Sequence, residues 1–229
     1  MRPITPTLVM LLIAVLSGPG TGGAQSSSAE AQALPTTIPI FPLQDVMLFP
    51  HSTRALHIFE PRYRAMVADA LEGDSIIGMI LLQPGYETEY EGRPPVYAVG
   101  CAGVIIAVEE LPDGRYNIVL DGLMKFRILS EDASRAYRLA EVEALPEVVE
   151  GSERPVLAQS RRQLERALRS FSPAMRLPPA DLADEDVVDG VSAVVPLAPA
   201  DRQELLEADG PIERATRLIG FLAKAAVPL

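Results

Sequence analysis

Apolar and polar positions change rhythm twice along this chain, and the changes divide it into three parts. Up to residue 33 the apolar residues are concentrated in one block; residues 36–146 carry strand-like spacing; residues 147–229 carry spacing near 3.6. The middle part is organised around residues 40–63. There Pro39, Pro42 and Pro50 bracket two short apolar pieces, and proline in sheets is confined to first residues, edges and bulges, so the run opens a sheet at its rim. Residues 54–59 extend as a second strand. Pro61 suits the first position of a helix because its missing N–H has no partner there, which predicts a helix from Pro61 toward Leu71. Gly73 supplies its stop by taking the left-handed conformation.

Residues 75–83 form the next strand, and their centre is apolar without alternation, which implies that both faces are covered. Pro84-Gly85 opens a polar loop to Pro95, with Tyr86 and Tyr90 set among Glu87, Glu89 and Glu91. Residues 96–111 are β-rich and interrupted by Gly100 and Gly103, where a bulge or bend would turn a barrel corner. Pro112-Asp113-Gly114 is a turn into the alternating strand 115–120. Asp121-Gly122 closes that hairpin, 125–129 is a further strand and 137–145 the last.

Beyond Pro146, Leu157, Leu164, Leu168 and Phe171 share one helical face, and Arg162, Arg166 and Arg169 share another. In an acidic protein that arginine stripe reads as a solvated face before it reads as an anionic docking site. Pro173, Pro178 and Pro179 interrupt, and residues 182–195, 200–208 and 211–225 read as three further helices.

The first block has the grammar of an export signal. Arg2 supplies positive charge, residues 8–16 are nine unbroken apolar positions, and small residues follow. Nine residues cannot span a bilayer, which needs about 20. Cleavage after Ala24 or after Ala33 fits the small-x-small rule, so residues 1–24 are expected to be a signal peptide and 25–35 a linker, placing the protein in the periplasm or outside the cell. A mis-called start is the alternative, and would leave it cytoplasmic.

Charge narrows the partners. Twenty Lys and Arg against 31 Asp and Glu give a net charge of −11, which repels nucleic-acid phosphates and anionic membrane surfaces. No nucleic-acid partner and no stable membrane insertion after signal removal are therefore expected. The single cysteine, Cys101, lies among Val99, Ala102, Val104 and Ile105 and reads as a small buried hydrophobe rather than a reactive thiol.

Catalytic motifs are missing. There is no G-x-x-x-x-G-K-[ST] loop and no G-x-S-x-G elbow. Two histidines, His51 and His57, cannot make a three-histidine metal site; joined to Glu60 they would be a weak one. Asp184-Glu185-Asp186 with Asp189 fails as a calcium loop, because Val188 stands at the fifth position and Asp189 at the sixth. Lys125 and Lys224, the only lysines, lie near no glycine-rich nucleophile turn. No enzyme activity and no cofactor are expected, with a hydrolase or peptidase kept as the alternative.

The pieces Ile38-Pro39-Ile40-Phe41-Pro42-Leu43, Val46-Met47-Leu48-Phe49-Pro50 and Leu56-His57-Ile58-Phe59-Glu60-Pro61-Arg62-Tyr63 resemble the opening signature of the Lon protease substrate-binding (N-terminal) domain, especially its stand-alone bacterial form. Gly73-Asp74, Gly78-Met79, residues 113–118, Gly122, Phe126-Arg127-Ile128 and residues 137–142 follow in family order, so the resemblance covers about residues 36–226. The glycine-rich Gly100-Cys101-Ala102-Gly103 and Lys125, where the family often has arginine, depart from the pattern. The resemblance implies an α+β fold, a PUA-like β-pseudobarrel over 36–146 followed by a helical subdomain over 147–229, in a module that recognises unfolded or extended polypeptide without catalysis. An exported adaptor or holdase is the expected role. Phe59, Tyr63, Met79, Tyr86 and Tyr90 are the expected peptide contacts, with core packing as the plainer reading of Phe59, Tyr63 and Met79.

Overall fold

The computed structural model describes residues 34–86, 92–172 and 176–225. The signal-like segment, the linker through Ala33, and Tyr90 lie outside the described residues. Strand β1 (Thr37–Leu43) and edge strand β2 (Thr53–Ile58) lead into helix α1 (Pro61–Glu72), and the crossover returns as β3 (Ile76–Leu81), parallel to β1. Strands β4 (Val99–Glu110), β5 (Tyr116–Asp132) and β6 (Arg138–Leu145) follow as antiparallel neighbours. Because β6 also pairs with β1, strands β1, β3, β4, β5 and β6 close into a ring, with β2 attached only to β5.

Helix α1 begins at Pro61 as expected, and its entry is fixed by Arg62 Nε donating to Glu60 Oε2 at 3.0 Å. Its exit differs from expectation. Gly73 has φ −111°, and the left-handed residue is Ser75 at φ 57°, whose N–H donates to Ala70 O at 2.9 Å. The chain thus turns two residues later than glycine chemistry suggested.

A second correction concerns β5. Asp121-Gly122 is not a turn, and the two strands expected on either side of it are one strand of 17 residues. Its first half pairs with β2 and its second half with β6, while β4 runs along both. Gly122 is there for close approach: its N–H donates to Ser52 O at 2.8 Å, its carbonyl accepts from His51 N at 2.9 Å, and a Cβ would collide with the Phe49 carbonyl. The β4 register does shift beside Gly103, between Ala102 and Gly103, and again between Ile105 and Ala107.

The ring is filled by Ile38, Ile40, Ile80, Ala102, Phe126 and Val142. A larger core lies on the opposite side, where Phe49, Met66, Ile77 and Leu120 meet Leu157, Leu164, Leu205 and Leu218. These come from α2 (Arg154–Phe171), α4 (Pro199–Leu206) and α5 (Gly210–Ala225), with α3 (Asp184–Val194) adding Val187 and Val188. All six residues of β3 are buried, as an apolar run with both faces covered requires. The fold is α+β, with six strands and five helices among the described residues, and its sheet and helices share one core.

Candidate functional site

The five expected peptide contacts do not converge. Tyr63 and Met79 are core residues, 3% and 2% exposed, so neither offers a surface to a ligand. Tyr63 packs tilted against Phe41 with ring centroids 4.4 Å apart, and Met79 sits opposite Cys101 across the β3–β4 ladder. Tyr86 is half-buried at the start of the loop after β3. Phe59, directly after β2, is 60% exposed and stacks on His57 at 6.2 Å. Phe59 therefore escapes the core-packing reading.

Phe59 stands beside a three-stranded ribbon, β2–β5–β4, that projects beyond the closed ring. In an antiparallel pair, alternate residues direct their N–H and C=O to the neighbour. Since Gly122 N donates to Ser52 O, it is Arg54, Leu56 and Ile58 that bond β5, and Thr53, Ala55 and His57 turn their backbone groups outward. These three residues are exposed, and β2 terminates the sheet. A shallow groove of about 500 Å³ lies against the ribbon, lined by Ala55, Leu56, Val108 and Ile118, and Ile106 and Val108 of β4 are exposed apolar residues. Across the ribbon runs a polar chain. Arg115 donates to His57 Nε2 at 3.1 Å, which leaves the ring proton on Nδ1 to donate to Asn117 Oδ1 at 2.7 Å, and Asn117 donates to Glu109 at 2.8 Å.

His51 instead pairs with Asp186 at 3.3 Å, so the two histidines do not meet at Glu60, and no group of three metal-ligating side chains is found among the described residues. Arg162, Arg166 and Arg169 are exposed along α2, as a solvated face would be. Cys101 is fully buried, and burial pushes its thiol well above the usual range.

Sequence reasoning missed a buried charge cluster that joins sheet to helices. Arg214 of α5 has no exposed surface; it donates to Asp189 of α3, to Glu147 Oε1 at 2.6 Å and to Leu205 O at 3.0 Å. Lys125 of β5 reaches the same Glu147 carboxylate and Ala208 O, each at 2.6 Å. Burial pushes the Asp189 carboxyl up to about 6, with Arg214 pulling against it. Burial would also raise Glu147, but Arg214 and Lys125 together hold it below the usual range. Burial opposes the charge of Arg214, yet Asp189 and Glu147 keep its guanidinium above its ordinary value. A signal was available: Arg214 stands four residues before Leu218 and eight before Leu222, squarely in the apolar stripe of α5. Beside the cluster, between the end of β6, the following segment and the start of α5, opens a cleft of about 720 Å³.

The described residues thus form a closed ring of strands that carries an edge ribbon and is backed by helices. Residues 37–224 match the model of the ATP-dependent protease La (LON) substrate-binding domain, and the chain belongs to that family. It is 27% identical over 209 residues to the Lon protease of Desulfovibrio desulfuricans, covering 87% of this chain and 24% of that protein. It is 27% identical over 195 residues to Lon protease 2 of Sorangium cellulosum, covering 81% and 24%. The chain thus spans about 24% of the length of these relatives. Two solved structures share the fold. A Lon N-terminal domain protein from Xanthomonas campestris has a TM-score of 0.57 at 24% identity, over 81% of this chain and 98% of that one. The N-terminal domain of a Mycobacterium avium complex Lon protease has 0.62 at 19%, over 82% and 98%.

Proposed function

We propose that this chain is a non-catalytic polypeptide-binding module that acts as an exported adaptor or holdase. Family membership supports binding of polypeptide, and what matches is the substrate-binding domain over residues 37–224. The observation that carries the reading is the open edge of β2. Outward-facing backbone groups at Thr53, Ala55 and His57, next to exposed Phe59, offer an extended chain both a ladder and an apolar contact. Export rests on Arg2 and the apolar run 8–16, followed by small residues. Among the described residues no helix is long and apolar enough to cross a membrane.

The test is binding of the purified protein to a polypeptide that is reduced, alkylated and unable to fold, followed by fluorescence anisotropy. Ala55→Pro removes an N–H that faces away from β5, so the native ladder survives while an added strand loses a donor. The variant should keep its thermal midpoint within a few degrees and bind roughly tenfold more weakly. No association of the wild-type protein up to high micromolar concentration refutes the reading, and mass spectrometry of the native N-terminus decides export.

A further inference from the structure

The cleft beside the buried charge cluster is distinct from the β2 edge and has a chemistry of its own. Its two cations are already neutralised: Lys125 by Glu147 at 2.6 Å and Arg127 by Glu143 at 3.0 Å. Its remaining carboxylates have no cationic partner among the described residues. Glu153 accepts only a backbone N–H, from Glu150, and Glu207 only the Gln203 amide. The Asp209 carboxylate accepts no hydrogen bond among the described residues; it is the Asp209 backbone N–H that donates to Glu213. Behind the wall, Gln203 is 1% exposed and spends its Nε2 on Val99 O and Glu207, while its Oε1 accepts from nothing among the described residues. Three carboxylates at the cleft are thus unpaired, while both of its cations are already engaged with carboxylates. The other walls are apolar: Val148 is 73% exposed at the mouth, and Val149, Pro211 and Ile212 continue the lining.

We infer that this cleft binds a polypeptide segment in which lysine or arginine adjoins apolar residues. The inference rests on the polypeptide-binding reading and gives it a sequence preference. A cation is favoured by the charge balance, because an anionic segment would meet three unpaired carboxylates while both cations already hold carboxylate partners. Apolar neighbours are required by the exposed valine and the wall behind it, which a bare cation would leave wet. A metal ion fits less well, since no group of three ligating side chains is found among the described residues.

The experiment compares two labelled unfolded peptides with the same apolar residues, one carrying two lysines and the other two glutamates. Four proteins are titrated: wild type, the triple variant Glu153→Gln, Glu207→Gln, Asp209→Asn, the variant Ala55→Pro, and the variant Val148→Lys. The wild type should prefer the lysine peptide by about tenfold at low salt and lose most of that preference at high salt. The triple variant should lose most of the preference, and Ala55→Pro should keep it while binding both peptides more weakly. Val148→Lys, at an exposed position, should weaken the preference and serves as the control if the triple variant is unstable. Equal binding of the two peptides by wild type, or a preference that survives in the triple variant and in Val148→Lys, overturns the inference and leaves the general reading standing. Failure of wild type to bind either peptide overturns both. Binding of a polyamine at the cleft, with the lysine peptide bound no better than the glutamate peptide, overturns the choice of occupant.

Discussion

Replacing Arg214 by methionine tests the buried charge cluster as the joint between sheet and helices. The substitution keeps an unbranched side chain in the core but removes the donors to Asp189, Glu147 and Leu205 O, leaving Asp189 without its cation and Glu147 with Lys125 alone. Removing one member of a buried pair costs about 3–5 kcal/mol. The structure places this case toward the lower part of that range. Asp189, already pushed up to about 6, can escape by protonating at neutral pH. Keeping it neutral at pH 7 against an unfolded value near 3.9 costs at most ~4 kcal/mol, and the wild type already bears ~3 of that through its raised carboxyl. The further loss is then chiefly the weakened environment of Glu147 and the orphaned Leu205 carbonyl, for a total of about 2–4 kcal/mol.

The pH dependence carries the diagnostic sign. A carboxyl whose folded value lies above its unfolded value stabilises most at low pH, and that contribution is lost as pH rises toward the folded value. For Asp189 in the wild type the decline runs from about pH 4 to about 6. Without Arg214 the folded value climbs further and the decline continues past neutrality. The gap between variant and wild type should therefore widen from pH 5 to pH 7.5. The sequence has no tryptophan, so urea titrations followed by far-UV circular dichroism are the suitable assay. At 3 kcal/mol the thermal midpoint should fall by roughly 6–12 °C. A loss below about 1 kcal/mol, or a gap that does not change with pH, refutes the electrostatic account.

Two further outcomes follow from the packing. Gly122→Ala should cost about 1–3 kcal/mol or more, because its Cβ meets the Phe49 backbone, which cannot step aside as a flexible side-chain end would; a neutral thermal shift would show that the ribbon is held less closely than described. Cys101 should resist thiol reagents in the native protein and react only at the rate of unfolding, since it is fully buried with its thiol held protonated by burial. Rapid native labelling at pH 8 contradicts that.

Much of the secondary structure is legible in local chemistry. Pro61 starts α1, the unbroken apolar run of β3 announces two covered faces, and Pro112-Asp113-Gly114 turns β4 into β5. The errors share a cause. In the sequence Gly73 and Gly122 look like punctuation because glycine permits turns, whereas Gly122 serves a strand that must pass close to the Phe49 backbone, and only the fold brings those segments together. The candidate contacts divide in the same way: Phe59, Tyr63 and Met79 look alike as apolar residues, and burial alone separates the exposed Phe59 from the two core side chains.

By itself the sequence determined the family signature, the order of the elements and the acidic balance that sets the sign of the protein's long-range field, because these depend on residue type and short-range spacing. Tertiary structure decided which strand kept an open edge, which carboxylates were spent on buried cations and which face an open cleft. Those outcomes depend on contacts between residues as far apart as Lys125 and Ala208, or Glu147 and Arg214. A pattern within one segment carries no record of such partners, since burial and pairing belong to the assembled core.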